Sequence, residues 1–101
     1  MQDITPAELR ARQQAGTAPL ILDVREPWEH EETRIEGAQN VPLATLPDHL
    51  ETLAADKDAE IIVQCKSGAR SGAAKAFLTQ QGFPNVRNLL GGILAWKDLG
   101  A

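Results

Sequence analysis

The segment Ile61-Ile62-Val63-Gln64-Cys65-Lys66-Ser67-Gly68-Ala69-Arg70-Ser71 decides the architecture of this chain. A short apolar run, a polar loop with glycine, and then helix-forming residues are typical of a buried strand that turns tightly into a helix. The chain's only cysteine stands where the strand ends. Backbone N–H groups of the loop and the N-terminal end of a helix beginning near Ser71 would both favour an anion there. We therefore expect a Cys65 thiol with a lowered pKa, or a bound anionic substrate.

The composition is that of a single small globular domain, spanning residues 1–101. The chain has 43% hydrophobic and 24% charged residues, with a net charge of −4 and a pI near 5.0. This acidic balance argues against a nucleic-acid-binding protein, because such proteins carry a basic excess. One cysteine forms no internal disulfide, and no signal peptide or membrane-spanning stretch is visible. The sequence thus predicts a cytoplasmic protein with no membrane and no nucleic-acid partner.

The residues before the decisive segment predict short helices and strands in alternation. Thr5-Pro6-Ala7-Glu8 resembles a capping box, so a helix is expected from Pro6 to Gln14 with Leu9 facing the core. The apolar run Leu20–Val24 predicts a strand buried on both faces, and Pro27 begins a short acidic helical turn ending at Glu32. A brief strand before Pro42 and a helix beginning at Leu46 are expected next.

The residues after the segment continue this alternation. Ser71–Gln81 has the apolar spacing of an amphipathic helix, followed by Gly82 as its C-terminal cap. Val86–Leu90 predicts a last strand, and Gly91-Gly92 opens a last helix. The expected fold is α/β, with a mainly parallel sheet of about five short strands and helices on both faces. Ligands of such sheets bind beyond the carboxyl ends of the strands, where Cys65 and Asp23 both lie.

These blocks together resemble a single-domain rhodanese, a thiosulfate or persulfide sulfurtransferase. The resemblance covers nearly the whole chain and is carried by the following blocks: Asp23-Val24-Arg25-Glu26, Ile35-Glu36-Gly37-Ala38, Val41-Pro42-Leu43, Cys65-x-x-Gly68-x-Arg70-Ser71, Gly82-Phe83, Asn88-Leu89, Gly91-Gly92 and Ala95-Trp96. The chain is also similar to the rhodanese domain at the C-terminus of some sulfur-carrier adenylyltransferases. It departs from the family at Thr33-Arg34-Ile35, where many members carry Gly-His-Ile.

The resemblance implies a rhodanese-like fold and a ping-pong reaction in which Cys65 becomes a persulfide. The donor would be thiosulfate or another small anionic sulfur donor, and the acceptor a thiol, cyanide or a sulfur-carrier protein. No metal and no cofactor are expected. The residues expected to bind substrate are those of the loop: Lys66, Ser67, Gly68, Ala69, Arg70 and Ser71. A nucleophile already ionised by this loop would need no separate general base.

Several side chains near this site admit more than one role. Arg70 either binds the donor's sulfonate or turns inward to pair with Asp23 or with a carboxylate of the acidic turn. Asp23 and Arg25 are candidate supports for the site, Asp23 with a structural role. The acidic run of residues 29, 31 and 32 is most simply a solvated face, and neither histidine has a partner at metal-ligand spacing. Trp96 is expected in the core, and Trp28 in the core or at the rim.

Two other classes of function compete with the sulfurtransferase. Cysteine phosphatases of the dual-specificity type place five residues between a His-Cys pair and the arginine, whereas Gln64 precedes Cys65 and four residues separate it from Arg70. A shorter loop suits a sulfur atom better than a tetrahedral phosphate. The remaining alternative is a sulfur-carrier or regulatory module that acts with a partner protein and has little thiosulfate activity.

Overall fold

The computed structural model describes residues 1–100, and the secondary structure alternates as expected. The helices are α1 (Pro6–Gln14), α2 (Pro27–Glu32), α3 (Leu50–Leu53), α4 (Ala69–Gln80) and α5 (Gly92–Asp98), and the strands are β1 (Leu20–Asp23), β2 (Gln39–Asn40), β3 (Ile61–Gln64) and β4 (Val86–Asn88). None of these helices is long and apolar enough to cross a membrane.

The four strands form one parallel sheet in the order β2-β1-β3-β4. The sheet has four strands instead of the expected five or so. A single parallel bridge between Ile4 and Leu89 extends the β4 edge, but the chain does not continue as a strand there. The central position of β3 brings Cys65 to the middle of the sheet's carboxyl edge, which is the place where ligands of parallel sheets bind.

Two apolar clusters cover the two faces of the sheet, as the buried-strand pattern predicts. Residues 61 and 63 of β3 join Ala74 and Leu78 of α4 on one face. Ile62 joins Leu9 of α1 and Ile93 of α5 on the other face. Successive residues of a strand point to opposite faces of the sheet. A strand that is apolar at both its odd and its even positions must therefore be covered on both faces.

The helix expected from Leu46 is the largest error in the predicted secondary structure. Residues Leu43–His49 form a 3-10 turn containing Pro47, and only Leu50–Leu53 are α-helical before a second 3-10 turn at Ala54–Asp56. Because the helical conformation starts at Leu43, Pro47 lies inside the segment, where its missing N–H and its ring prevent a continuous α-helix. The helical spacing of Leu50 and Leu53 is real, because both side chains pack against the core, but it does not indicate a continuous helix.

Helix α4 begins at Ala69, two residues before its predicted start, and Gly68 precedes it with φ of +115°. This left-handed conformation is accessible to glycine at little cost, and it turns the chain sharply from the loop into the helix. The early start places Arg70 in the first helical turn instead of in the loop, and Ser71 in that turn instead of at the start of the helix.

Candidate active site

Cys65 follows the last residue of β3, and its side chain is buried on the face covered by α4. Its Sγ accepts a hydrogen bond from the Gly68 backbone N–H at 3.0 Å and contacts the Ser71 hydroxyl at 3.2 Å. The strand ends, the loop turns through Gly68, and α4 returns over the sulfur. The chain therefore curls around Sγ with its N–H groups directed inward, as the sequence predicts.

These contacts decide the ionisation of the thiol. Burial raises the pKa of Cys65. Hydrogen bonds from the Ser71 hydroxyl and from the backbone N–H groups of Ser71, Gly68 and Ser67 together lower it by more, so the net change in the pKa is downward. Hydrogen bonds that favour the charged form of a group lower the pKa of an acid. Cys65 is therefore suited to act as a thiolate nucleophile.

Arg70 pairs with Glu29 of the acidic turn and not with Asp23. Its guanidinium donates to Glu29 from Nη1 to Oε1 at 2.6 Å and from Nη2 to Oε2 at 3.0 Å. The hydrogen bond from Arg70 and its charge lower the pKa of Glu29 to about 2. The interpretation of Glu29 as part of a solvated face was therefore wrong, whereas Glu31 and Glu32 of the same run are exposed.

Asp23 and Arg25 form a buried pair beside the site. The Asp23 carboxylate accepts from Arg25 Nε at 2.9 Å and from Nη2 at 2.7 Å, and its Oδ2 lies 2.8 Å from His30 Nδ1. Arg25 also donates to the carbonyl of Thr33 at the end of α2. Burial raises the pKa of Asp23, but the hydrogen bonds from Arg25 and His30 lower it more. The pair anchors α2, and α2 carries Glu29 to Arg70.

The loop residues differ in their exposure. Lys66, Ser67 and Ala69 are exposed, whereas Gly68 is half-buried and Ser71 is buried. Lys66 forms no ion pair with any of residues 1–100. Within the described residues, Lys66 is thus the loop cation that no carboxylate offsets.

The N-terminus of α5 supports the loop from behind. The N–H of Ile93 donates to the Cys65 carbonyl at 2.9 Å, and that of Leu94 donates to the Lys66 carbonyl at 3.2 Å. Gly92 makes this approach possible, because a Cβ at its position would overlap both carbonyl groups. The glycine pair is thus a tight strand-to-helix turn, as expected, and its second member also fixes the loop.

A groove of about 120 Å³ lies beside the loop, between α2 and α5. Its walls include Lys66, Glu29 and Trp28, of which Trp28 is 66% exposed and therefore lies at the rim. A larger groove of about 320 Å³ between α1 and α5 contains no residue of the loop. Trp96 is half-buried: it packs against the apolar cluster on the α1 face but also lines that second groove, so it lies at the edge of the core and not inside it.

Asn88 is the residue of the site that the sequence reasoning missed as a functional group. It ends β4, and its side-chain amide donates to the Gly68 carbonyl at 3.2 Å while its Oδ1 accepts from the Ser71 hydroxyl at 2.6 Å. A polar residue at the carboxyl end of the strand next to β3 was the available signal, because neighbouring parallel strands end at the same edge.

Comparison with known proteins agrees with this architecture. The family model described as a rhodanese-like domain matches residues 5–99. The chain is 36% identical to the putative sulfurtransferase YtwF of Bacillus subtilis over 97 residues, covering 96% of this chain and 91% of that protein. It is also 36% identical to the thiosulfate sulfurtransferase GlpE of Stutzerimonas stutzeri over 94 residues, covering 93% of this chain and 83% of that protein.

A third relative and a solved structure complete the comparison. The probable adenylyltransferase/sulfurtransferase MoeZ of Mycobacterium tuberculosis is 36% identical over 93 residues, which are 92% of this chain and 24% of that protein. The crystal structure of a rhodanese-like domain protein from Staphylococcus aureus superimposes with a TM-score of 0.88 at 31% identity, covering 99% of this chain and 95% of the other. Given its parallel sheet, its cysteine loop and these relatives, the chain belongs to the rhodanese family, and the names of YtwF, GlpE and MoeZ all include the term sulfurtransferase.

Proposed function

We propose that this protein transfers sulfane sulfur through a persulfide on Cys65. The observation that carries the proposal is the convergence of donors on one buried sulfur: the Gly68 N–H at 3.0 Å and the Ser71 hydroxyl at 3.2 Å. Donors placed where negative charge resides stabilise a thiolate, and they would hold a persulfide anion in the same way. The sulfurtransferase names of the relatives support this reading.

The reaction proceeds in two displacements at sulfur. The Cys65 thiolate attacks the outer sulfur of thiosulfate, the bond between the two thiosulfate sulfurs breaks, and its electron pair leaves with sulfite. The enzyme then carries one additional sulfur as a persulfide. An acceptor thiolate or cyanide attacks that outer sulfur, and the electrons of the broken S–S bond return to Cys65. This sequence is covalent catalysis with one nucleophile, and it needs no cofactor.

The loop supplies binding groups for an anionic donor. Lys66 offers a free ammonium, and the backbone of Ser67, Gly68 and Ala69 surrounds the sulfur. Arg70 uses one N–H of each terminal nitrogen on Glu29, so its main role in the proposal is to hold the loop, with any donor contact secondary. Asp23 and Arg25 act from further away, by fixing α2. A cytoplasmic location would keep the single thiol reduced between turnovers.

The decisive experiment is the intact mass of the protein before and after incubation with thiosulfate, with Cys65→Ser as the control. A gain of roughly 32 Da that cyanide removes, absent from the control, is the expected result. An unchanged mass with thiosulfate, with a cysteine desulfurase and its substrate, and with an alkyl persulfide would overturn the proposal.

A sulfur-carrier role is the second candidate, and one observation favours it. A 93-residue part of an adenylyltransferase/sulfurtransferase matches 92% of this chain. In that role a desulfurase loads Cys65 and a sulfur-carrier protein removes the sulfur, while thiosulfate remains a poor donor. The same mass experiment separates the candidates, because loading by the desulfurase without loading by thiosulfate identifies the carrier.

A further inference from the structure

The hydroxyl of Ser71 has three acceptors and a single proton. Its Oγ lies 2.6 Å from Asn88 Oδ1, 3.2 Å from Cys65 Sγ and 3.3 Å from the Gly68 carbonyl oxygen. A serine hydroxyl donates one hydrogen bond and accepts two. Ser71 therefore cannot donate to all three atoms at the same time. The shortest contact, to Asn88 Oδ1, is the preferred hydrogen bond of the Ser71 O–H.

The orientation of the Asn88 amide follows from its second contact. The amide nitrogen Nδ2 donates to the Gly68 carbonyl oxygen at 3.2 Å. Turning the amide over would place Oδ1 against that carbonyl, and two acceptors would then face each other. Oδ1 is therefore the atom that faces Ser71, and it must accept the serine proton, because a carbonyl oxygen has none to give.

We propose that Ser71 and Asn88 form a hydroxyl switch whose position depends on the charge of Cys65 Sγ. While the sulfur is uncharged, the Ser71 O–H donates to Asn88 Oδ1, and the thiol S–H donates to the Ser71 oxygen. When the thiol ionises, its proton leaves to water and the Ser71 O–H rotates to the sulfur. Ser71 contacts the reacting atom and is the catalytic residue of the switch, whereas Asn88 acts through Ser71 and is a positioning residue.

The switch has a consequence for sulfur transfer, and this step rests on the proposed function. In the persulfide the inner Sγ carries no charge, so the Ser71 O–H stays on Asn88 while the loop N–H groups hold the outer sulfur. When an acceptor removes the outer sulfur, negative charge develops on Sγ and the hydroxyl turns to it. A hydrogen bond that forms only as charge develops stabilises the transition state more than the ground state, and so accelerates the step.

The charged groups beside the cysteine loop and beside Asn88 come from four elements and remain unchanged in the test below. Lys66 lies on the loop, and Arg70 on α4 pairs with Glu29 on α2. Before α1, Asp3 accepts from the Asn88 backbone N–H and from Lys75 of α4. Substituting only Ser71 and Asn88 thus separates the effect of the Ser71 hydroxyl on the thiol pKa from the effect of these charges.

The test is a double-mutant cycle on the thiol pKa, measured in the free protein from the pH dependence of alkylation by iodoacetamide. Ser71→Ala should raise the pKa and reduce alkylation below that pKa about tenfold, because the thiolate loses a donor. Asn88→Leu should lower the pKa, because the Ser71 proton loses its competing acceptor. In the Ser71→Ala background, Asn88→Leu should leave the pKa unchanged.

Two results would overturn the switch. The first is a pKa change on Asn88→Leu that is equally large with and without the Ser71 hydroxyl, and the second is an increase of the pKa on Asn88→Leu. Thermal melting checks that each variant is folded. Asn88→Asp serves as a second variant if Asn88→Leu does not fold: its carboxylate is a stronger acceptor, so it should raise the pKa more with Ser71 present than in Ser71→Ala.

A single-turnover measurement then examines the transfer step. After loading with an alkyl persulfide, Ser71→Ala should release its sulfur to cyanide about tenfold more slowly than the wild type. Equal release rates would contradict the transition-state role of the hydroxyl. If no persulfide forms on the wild type, the proposed function fails, while the alkylation cycle still decides whether the switch exists.

Discussion

The Arg70 guanidinium and the Glu29 carboxylate form a two-point ion pair, with Nη1–Oε1 at 2.6 Å and Nη2–Oε2 at 3.0 Å. The pair joins the first turn of α4 to α2 across 41 residues of sequence. It also cancels one of the two positive charges next to Cys65. The field that an incoming anion meets is therefore weaker than the residues of the loop alone would indicate.

Glu29→Gln should make the site more attractive to anions, because it removes the charge that offsets Arg70 and keeps the size of the side chain. We expect the alkylation rate of Cys65 by anionic iodoacetate, divided by that for neutral iodoacetamide, to rise about twofold at low salt. The rise should diminish at high ionic strength. Glu31→Gln, with the same charge change at an exposed position of α2, is the matched control and should change the ratio less. Equal changes in the two variants would refute a local effect of the ion pair.

The same ion pair predicts a loss of stability in acid. The Arg70 contact lowers the pKa of Glu29 from 4.5 to about 2. A lowered folded-state pKa stabilises the protein above pH 4.5, and this contribution disappears as the pH falls from 4.5 to about 2. The full shift corresponds to about 3 kcal/mol. Solvent screens the pair because 36% of the Arg70 side chain is exposed, so we expect a contribution of ~1 kcal/mol. Urea unfolding at pH 7 and pH 3 should show a smaller acid-induced loss in Glu29→Gln than in the wild type.

Asp23→Asn should destabilise the fold strongly, because it leaves the Arg25 charge buried without its carboxylate. Arg25 is 2% exposed and Asp23 is fully buried. Breaking one half of such a pair typically costs ~3 kcal/mol or more. The double variant Asp23→Asn/Arg25→Met, which removes the buried charge as well, should recover part of this loss in urea denaturation. A double variant less stable than Asp23→Asn would show that the Arg25 contact with Thr33 matters more than the ion pair.

Gly92→Ala should displace the cysteine loop and reduce sulfur loading of Cys65. The added Cβ would overlap the carbonyl groups of Cys65 and Lys66, which accept hydrogen bonds from α5. Gly16→Ala is the matched control, since Gly16 also has a positive φ, of +74°, but has no neighbouring atom within 4 Å of the added Cβ. We expect a cost of about 1–2 kcal/mol for Gly16→Ala from backbone strain alone and a larger cost for Gly92→Ala. Equal melting temperatures for the two variants would contradict the close approach of α5 to the loop.

Local signals in the sequence predicted the elements that depend on near neighbours. Thr5 caps α1 through its hydroxyl, as the capping pattern indicates, and α1 ends at Gln14 as expected. The Glu8 side chain instead pairs with Arg87 of β4, a contact that no local pattern reveals. The helix expected at Leu46 was wrong because the helical conformation begins at Leu43, which places Pro47 inside the segment and interrupts the α-helix.

For the site, the sequence located the nucleophile and the loop but left its support open. It offered Asp23 and the acidic turn as alternative partners for Arg70, and only the packing of α2 decided for Glu29. It offered Ser71 as a substrate-binding residue, while the folded chain brings the Ser71 hydroxyl between Cys65 and Asn88. These pairings depend on the relative position of whole elements, which single-residue preferences do not encode.

The sequence by itself determined that this is an α/β chain with a parallel sheet, and that its only cysteine ends a buried strand in a glycine-containing loop. Those properties follow from apolar periodicity and turn chemistry, which act over a few residues. The tertiary structure alone decided which groups support that cysteine loop, because Glu29, Asn88 and Gly92 reach the loop or the start of α4 from α2, β4 and α5. Contacts between distant elements depend on how the sheet orders its strands and packs its helices, and small differences in that packing select one hydrogen-bond partner over another.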